Sequence, residues 1–211
     1  MRAVPAVVLL VVACALAGCG SSSSSSGSAS SGSASASTSA NTKTGAGVNP
    51  NVPESLPPGD IPDTVAYVPY AWPGHHLSVT TPEGWSRSSS AAAVVFTDKL
   101  NAVRVEETPA KGPVSTASAQ SREVPTIAAA TKGFKLQSVT TVSRPAGPAV
   151  RIAYLGYSKP DAVTGKFGVL AFERYDFIHN GREVILTLSA PNGSDNVDPW
   201  RKVTSSLRFT G

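Results

Sequence analysis

Apolar and polar positions change period several times along this chain, and each change marks an element. Val7 to Leu16 is an unbroken apolar run. From Gly20 to Ala40 no large apolar side chain occurs. Period-two alternation begins at His76-Leu77-Ser78-Val79-Thr80, a short strand, and Thr81-Pro82-Glu83-Gly84 turns the chain before Trp85. Ala92 to Thr97 is apolar and ends at Asp98. Ala102 to Glu106 alternates, so Asp98-Lys99-Leu100-Asn101 joins two strands as a hairpin. Val114 to Lys132 is rich in Ala, Ser and Thr and lacks alternation. It predicts a helix with Gly133 as its C′ residue. Pro125 either sits in the first turn of a helix beginning near Val124 or kinks a longer one.

Strands follow at Phe134–Ser143 and Ala149–Tyr157, joined by Pro145-Ala146-Gly147-Pro148. Phe167–Asn180 and Arg182–Ala190 form a long hairpin, because Asn180-Gly181 suits the two positive φ angles of a type I′ turn. With His179 opposite Arg182, Phe177 faces Val184, Tyr175 faces Leu186 and Glu173 faces Leu188. The other face carries Phe172, Arg174, Asp176, Ile178, Glu183, Ile185 and Thr187, a mixed set expected to be partly covered or exposed. Asp198-Pro199 opens a terminal helix, Asp as N-cap and Pro at its first position. Trp200, Val203 and Leu207 share one face of it, with Trp200 docked on the sheet and Phe209 closing the core. Strands outnumber helices and do not alternate with them, so the class is α+β, a largely antiparallel sheet with flanking helices.

The first residues have a different purpose. Met1-Arg2 is positive, and the run that follows is too short to span a bilayer, the layout of a signal peptide. It ends in Leu16-Ala17-Gly18-Cys19, which resembles the lipobox of bacterial lipoproteins. The resemblance implies cleavage between Gly18 and Cys19 and a diacylglycerol thioether on the Cys19 sulfur. It therefore implies a membrane-anchored protein on the outer face of the cell membrane. Cys14 leaves with the signal, so no thiol remains in the folded part. Gly20 to Ala40 holds 13 Ser in 21 residues and buries too little to offset its ordering entropy. Val48 to Pro73 adds seven prolines and reads as extended. The organisation is a signal peptide over 1–18, Cys19 and a disordered tether over 19–64, and one domain over 65–211.

Strand order, Pro82-Glu83-Gly84-Trp85 after a strand, and Trp200 with Ser205-Ser206-Leu207-Arg208-Phe209 at the end resemble the Mog1/PsbP-like α/β/α sandwich domains. Actinobacterial lipoproteins related to mycobacterial LpqN belong to that group. Leu207 before Phe209 departs from its usual ending. The resemblance implies the fold, and binding or scaffolding more often than catalysis.

Charge and chemistry change this picture little. Net charge is +4, with no run of Lys or Arg, which excludes a nucleic-acid patch. His75, His76 and His179 are read as surface residues, and His75 and His76 would diverge on a strand. Asp195-Asn196-Val197-Asp198 lacks the spacing of a calcium loop, and Asn192-Gly193-Ser194 is a surface loop. Glu106 and Glu107 diverge on their strand. Glu173, on the apolar face beside Tyr175, is a buried functional carboxylate, the partner of an Arg, or a residue at the sheet end in solvent. Tyr67, Tyr70 and Trp72 form the densest aromatic cluster, which either packs an N-terminal arm on the sheet, the reading preferred, or serves as a binding surface. No motif of a hydrolase, kinase or metalloenzyme occurs, so no catalytic residue, metal or cofactor beyond the Cys19 lipid is assigned. The expected function is a binding or accessory module for another cell-envelope protein or wall component. The alternatives are a carrier of a small apolar ligand between sheet and helix, or an unrecognised hydrolase.

Overall fold

The computed structural model describes residues 59–210. The expected signal peptide, Cys19 and most of the expected tether lie outside the described residues. Ten strands are numbered in chain order: β1 Tyr67–Trp72, β2 Leu77–Pro82, β3 Ser86–Ser89, β4 Ala93–Asp98, β5 Asn101–Pro109, β6 Lys135–Arg144, β7 Gly147–Tyr157, β8 Val169–His179, β9 Arg182–Pro191 and β10 Arg208–Phe209. Helical segments are α1 Thr116–Ser118, α2 Val124–Ala130 and α3 Val197–Ser206.

Seven strands form one antiparallel sheet in the order β3-β4-β5-β9-β8-β7-β6, and β1, β2 and β10 form a small second sheet. The α+β class read from the sequence is the class observed. The β8–β9 hairpin has the expected register, with His179 opposite Arg182, Phe177 opposite Val184 and Glu173 opposite Leu188. Asn180 and Gly181 have φ of 47° and 73°, the left-handed pair that such a turn needs.

Two apolar clusters fill the two faces of the large sheet. On one face Val94, Phe96, Val105, Phe177, Leu186 and Leu188 meet Trp72, Leu77 and Val79 of the small sheet, with Val203 and Leu207 from α3 and its end. Tyr67 and Tyr70 pack against the same cluster, the arm packing expected of this aromatic group. On the other face Val150, Ile152 and Tyr154 of β7 meet Ala119 and Ile127. Each large aliphatic side chain so closed off contributes about 1.5–3 kcal/mol.

The middle helix starts earlier than Val124. Ser115 caps α1, its hydroxyl accepting from Ser118 N while the Ser118 hydroxyl accepts from Ser115 N. Between α1 and α2 the chain widens into a π turn over Ala119–Glu123, and Pro125 lies at the start of α2. A proline has no N–H for the i→i−4 bond, so the wider turn accommodates it. Gly133, expected at C′, lies two residues beyond the Thr131 cap with φ 66°.

The terminal helix also differs at its start. Its N-cap is Asn196, not Asp198. The Asn196 side chain accepts from Ile61 N at 2.8 Å and donates to Gly59 O at 2.9 Å. It thus ties the first described residues to α3, and no helix N–H receives that side chain. Trp200 is only partly buried against the core, while Leu207 is completely buried.

Candidate functional site

A cavity of about 330 Å³ opens between α3 and the β6–β9 part of the large sheet. Val142, Ala171, Ala190, Pro191 and Trp200 give it apolar walls, and Arg144, Arg151, Arg201 and Glu173 give it charge. Glu173 comes here because alternate residues of β8 face one way. Its side chain is paired with Arg151 across the β7–β8 ladder, so of the three readings the Arg partner is the one observed. The Tyr175 hydroxyl donates to Glu173 Oε2 at 2.5 Å. Burial, then the bond to Glu173, pushes the Tyr175 phenol up to about 12, so it remains a donor. Arg144 Nη2 donates to the same hydroxyl at 3.3 Å, and Arg144 Nε donates to Thr204 Oγ1 of α3 at 3.1 Å. The hydrogen bond to Glu173 leads the effects that hold Arg151 above its usual range.

With Glu173 satisfied by Arg151, the guanidiniums of Arg144 and Arg201 leave the lining net positive. Arg201 is exposed and lies 3.4 Å from Asp198. A carboxylate or phosphate entering between them would meet planar donors suited to bidentate bonds, beside the Trp200 wall.

A second cavity, about 220 Å³, gathers His75, His76 and His179 with Glu107, Arg182 and Phe209. His76 is exposed, as the surface reading has it, but His75 and His179 are half-buried in this cavity, which that reading did not anticipate. The tight turn after Trp72 gives His76 a φ of 27° and breaks strand alternation, so His75 and His76 both line one pocket. β10 brings Phe209 onto the His179 ring at 4.0 Å, and Trp72 stacks on His75 at 3.7 Å. His75 Nδ1 lies 2.5 Å from Glu107 Oε2, and Arg182 Nε donates to Glu107 Oε1 at 2.9 Å. Burial pushes Glu107 up, but the bonds from His75 and Arg182 outweigh it and hold the carboxyl below its ordinary value. Glu106 turns away to Arg104, the divergence expected of this pair.

Among the described residues no group of three His, Cys, Asp or Glu is placed to hold a metal ion, and no helix is long and apolar enough to cross a membrane. Asp195 N bonds to Asp60 Oδ1, fixing the loop before α3. The proposed lipid site Cys19 and the cleavage at Gly18 lie outside the described residues.

The mixed face of the β8–β9 hairpin is partly covered, as expected: Phe172 packs against the cluster that holds Ala119 and Ile127, while Ile178 stays exposed. Asp176 is completely enclosed there, its Oδ1 accepting from Arg174 Nε at 2.7 Å. Arg174 also reaches Glu123 of the π turn at 3.3 Å. Period two placed these residues on one face, but nothing in the sequence announced what covers them.

No family model matches the chain, and no curated protein matches it. Among solved structures it is similar to the Ran-binding protein Mog1p of Saccharomyces cerevisiae, at 9% identity over 69% of this chain and 96% of that one, with a TM-score of 0.47. It is similar to the cyanobacterial PsbP of Synechocystis, at 14% identity over 69% and 93%, with a TM-score of 0.47. It is also similar to LpqN, involved in cell envelope biogenesis of Mycobacterium tuberculosis, at 15% identity over 71% and 93%, with a TM-score of 0.44. The chain spans about half, 48%, of a further similar protein from Bacteroides thetaiotaomicron.

Proposed function

We propose that this protein is an extracytoplasmic accessory lipoprotein, held to the membrane through Cys19, whose cleft binds an acidic, partly apolar component of the cell envelope. The lipobox-like Leu16-Ala17-Gly18-Cys19 supports the anchor. The composition of the cleft supports the ligand class: three arginines against one carboxylate, beside Trp200 and Val142. A wholly apolar ligand would strip water from Arg144 and Arg201 without replacing their hydrogen bonds. An acidic headgroup replaces them, and a short chain covers the apolar wall.

Binding rather than catalysis is the second part of the proposal. His75 and Glu107 form the carboxylate–imidazole half of a nucleophilic site. The residues lining that pocket include no Ser, Thr or Cys to complete it.

Octyl phosphate is a suitable probe, with octanol as the uncharged control. Titration calorimetry on the mature chain is expected to show saturable binding of the phosphate alone. Arg144→Gln with Arg201→Gln is expected to weaken it by on the order of tenfold or more, the loss of charge-assisted hydrogen bonds. Equal binding of octanol, or no effect of the arginine changes, would overturn the proposal.

A further inference from the structure

The β6–β8 corner of the large sheet carries an exposed apolar tip that neither cavity uses. β7 ends at Tyr157 and β8 begins opposite it at Val169. The loop between them presents Val163, 92% exposed, and Phe167, 57% exposed, with Tyr157 at 44%. The Tyr157 and Phe167 rings lie 4.6 Å apart. This presentation is held in place. Ser158 N donates to Gly168 O, and Gly168 N donates to Ser158 Oγ. Asp161 Oδ1 accepts from Thr164 N, Thr164 Oγ1 and Val163 N, which turns the only carboxylate of the loop onto its own backbone. Those bonds, Thr164 N first, hold the Asp161 carboxyl below its usual range.

Around this tip the charge is positive. Lys159 and Lys166 lie in the loop, and Lys132 and Lys135 lie beside it, with Lys132 O accepting from Tyr157 N at 2.8 Å. All four lysines are exposed. Of the carboxylates at this end of the sheet, Glu83 and Asp98 line a cavity with Asn101 at the start of β5, toward the opposite corner, while Asp60 and Asp195 lie where the chain enters, past Pro191.

The chain also enters the fold at this end. β9 ends at Pro191, opposite Leu170 of β8, and Asn192 N donates to Val169 O at 2.9 Å. Gly59 lies against Pro191, where an added Cβ would fall 2.4 Å from the proline ring, and Asp60 accepts from Asp195 N. Gly59, the first described residue, therefore lies at the same end of the large sheet as the tip.

We propose that this corner, tipped by Val163, Phe167 and Tyr157 and rimmed by Lys132, Lys135, Lys159 and Lys166, seats on an anionic lipid surface. An aromatic pair with a β-branched tip suits the headgroup–acyl boundary, and lysines suit the anionic headgroups around it. So small a patch binds weakly alone. Its place in the cell rests on the anchor proposed above, since a chain tethered beside the patch raises its effective concentration at the membrane. Its affinity for lipid does not depend on that anchor.

The test uses the mature chain from residue 19 with Cys19→Ser, so that no lipid is attached. It is sedimented with vesicles of phosphatidylcholine alone or mixed with phosphatidylglycerol. Binding is expected to the mixed vesicles only, and to weaken with added salt. Lys159→Gln with Lys166→Gln is expected to lower the partition coefficient by on the order of tenfold or more. Val163→Ser with Phe167→Ser is expected to lower it by on the order of tenfold. These residues are exposed, so unchanged melting curves should accompany both losses. Arg144→Gln with Arg201→Gln is expected to leave partitioning intact, which separates the corner from the cleft. No binding, equal binding to both vesicles, loop variants that partition like the wild type, or retention on an acidic envelope protein without any on vesicles would each overturn the proposal. Absence of lipid on Cys19 in cells would sink the anchor alone.

Discussion

Arg174 holds Asp176 from two positions away on the same strand, Nε to Oδ1 at 2.7 Å, and the carboxyl it holds is closed off from solvent. Asp176 Oδ2 has no hydrogen-bond partner among the described residues, nor has Glu183 Oε1. Burial raises the Asp176 pKa to about 6, Arg174 opposes the rise, and Glu183 and Glu123 add to it. Lys111 and Arg122 act on the neighbouring Glu183, whose own pKa is raised, by burial first.

The sign of the pH effect follows. The native state binds the Asp176 proton more tightly than the unfolded chain does. Its contribution to stability is therefore full below about pH 4 and is lost as pH rises through about 6. The loss is on the order of 3 kcal/mol at most. Glu107 works oppositely: its lowered pKa gives stability present at neutral pH and lost in acid. Thermal melts from pH 4 to 7 should show the wild type losing ground to Asp176→Asn as pH rises. Parallel curves for the two proteins would mean that Asp176 is ionised throughout.

Trp200 and Leu207 share the face of the terminal helix but not its burial. Leu207→Ala is expected to cost about 2–5 kcal/mol, the range for a large residue removed from a closed core. Trp200→Ala is expected to cost less than the roughly 3–5 kcal/mol of a buried Trp, because one side of its ring faces the cleft. Urea denaturation gives the order directly. A larger loss at Trp200 than at Leu207 would make the ring a core residue and remove it from the cleft wall.

The hairpin register was legible because two local signals agree there. Period two sets the face, and Asn180-Gly181 sets the turn. What the sequence hid depends on contacts between distant residues. His75 and His179 meet only because β10 and the β2 turn converge on one end of the β8–β9 hairpin. The N-cap position of α3 falls at Asn196 instead of Asp198, and the Asn196 side chain is held by Ile61 and Gly59 instead of by the helix, the Ile61 bond spanning 135 residues. Glu173 was marked correctly as facing inward, but its Arg151 partner lies on a different strand, whose register the sequence left open.

Cys19→Ala tests the anchor. The change removes the sulfur that would carry the lipid, so metabolic lipid label should be lost and the chain should accumulate as precursor or leave the membrane. A variant that is cleaved normally, keeps its label and remains in the membrane fraction would show that Cys19 is not the attachment site.

Deleting Ser21 to Ala40 tests reach against seating. Its composition, almost wholly Ser, Ala and Gly, offers no large apolar side chain to a core. The melting curve of the mature chain is therefore expected to be unchanged. Under the proposed anchor, a flexible chain over residues 20–62 would span roughly 35–40 Å, and removing about half of it would shorten the reach from the membrane. Two outcomes in cells then separate two working positions. If the envelope partner lies out in the wall, crosslinking to it falls, because the shortened chain no longer reaches. If the domain works while seated on the bilayer through Val163 and Phe167, crosslinking persists, and the charge-removing Lys159→Gln with Lys166→Gln reduces it instead. A fall in melting temperature on deletion would place the segment inside the fold and remove the premise of both.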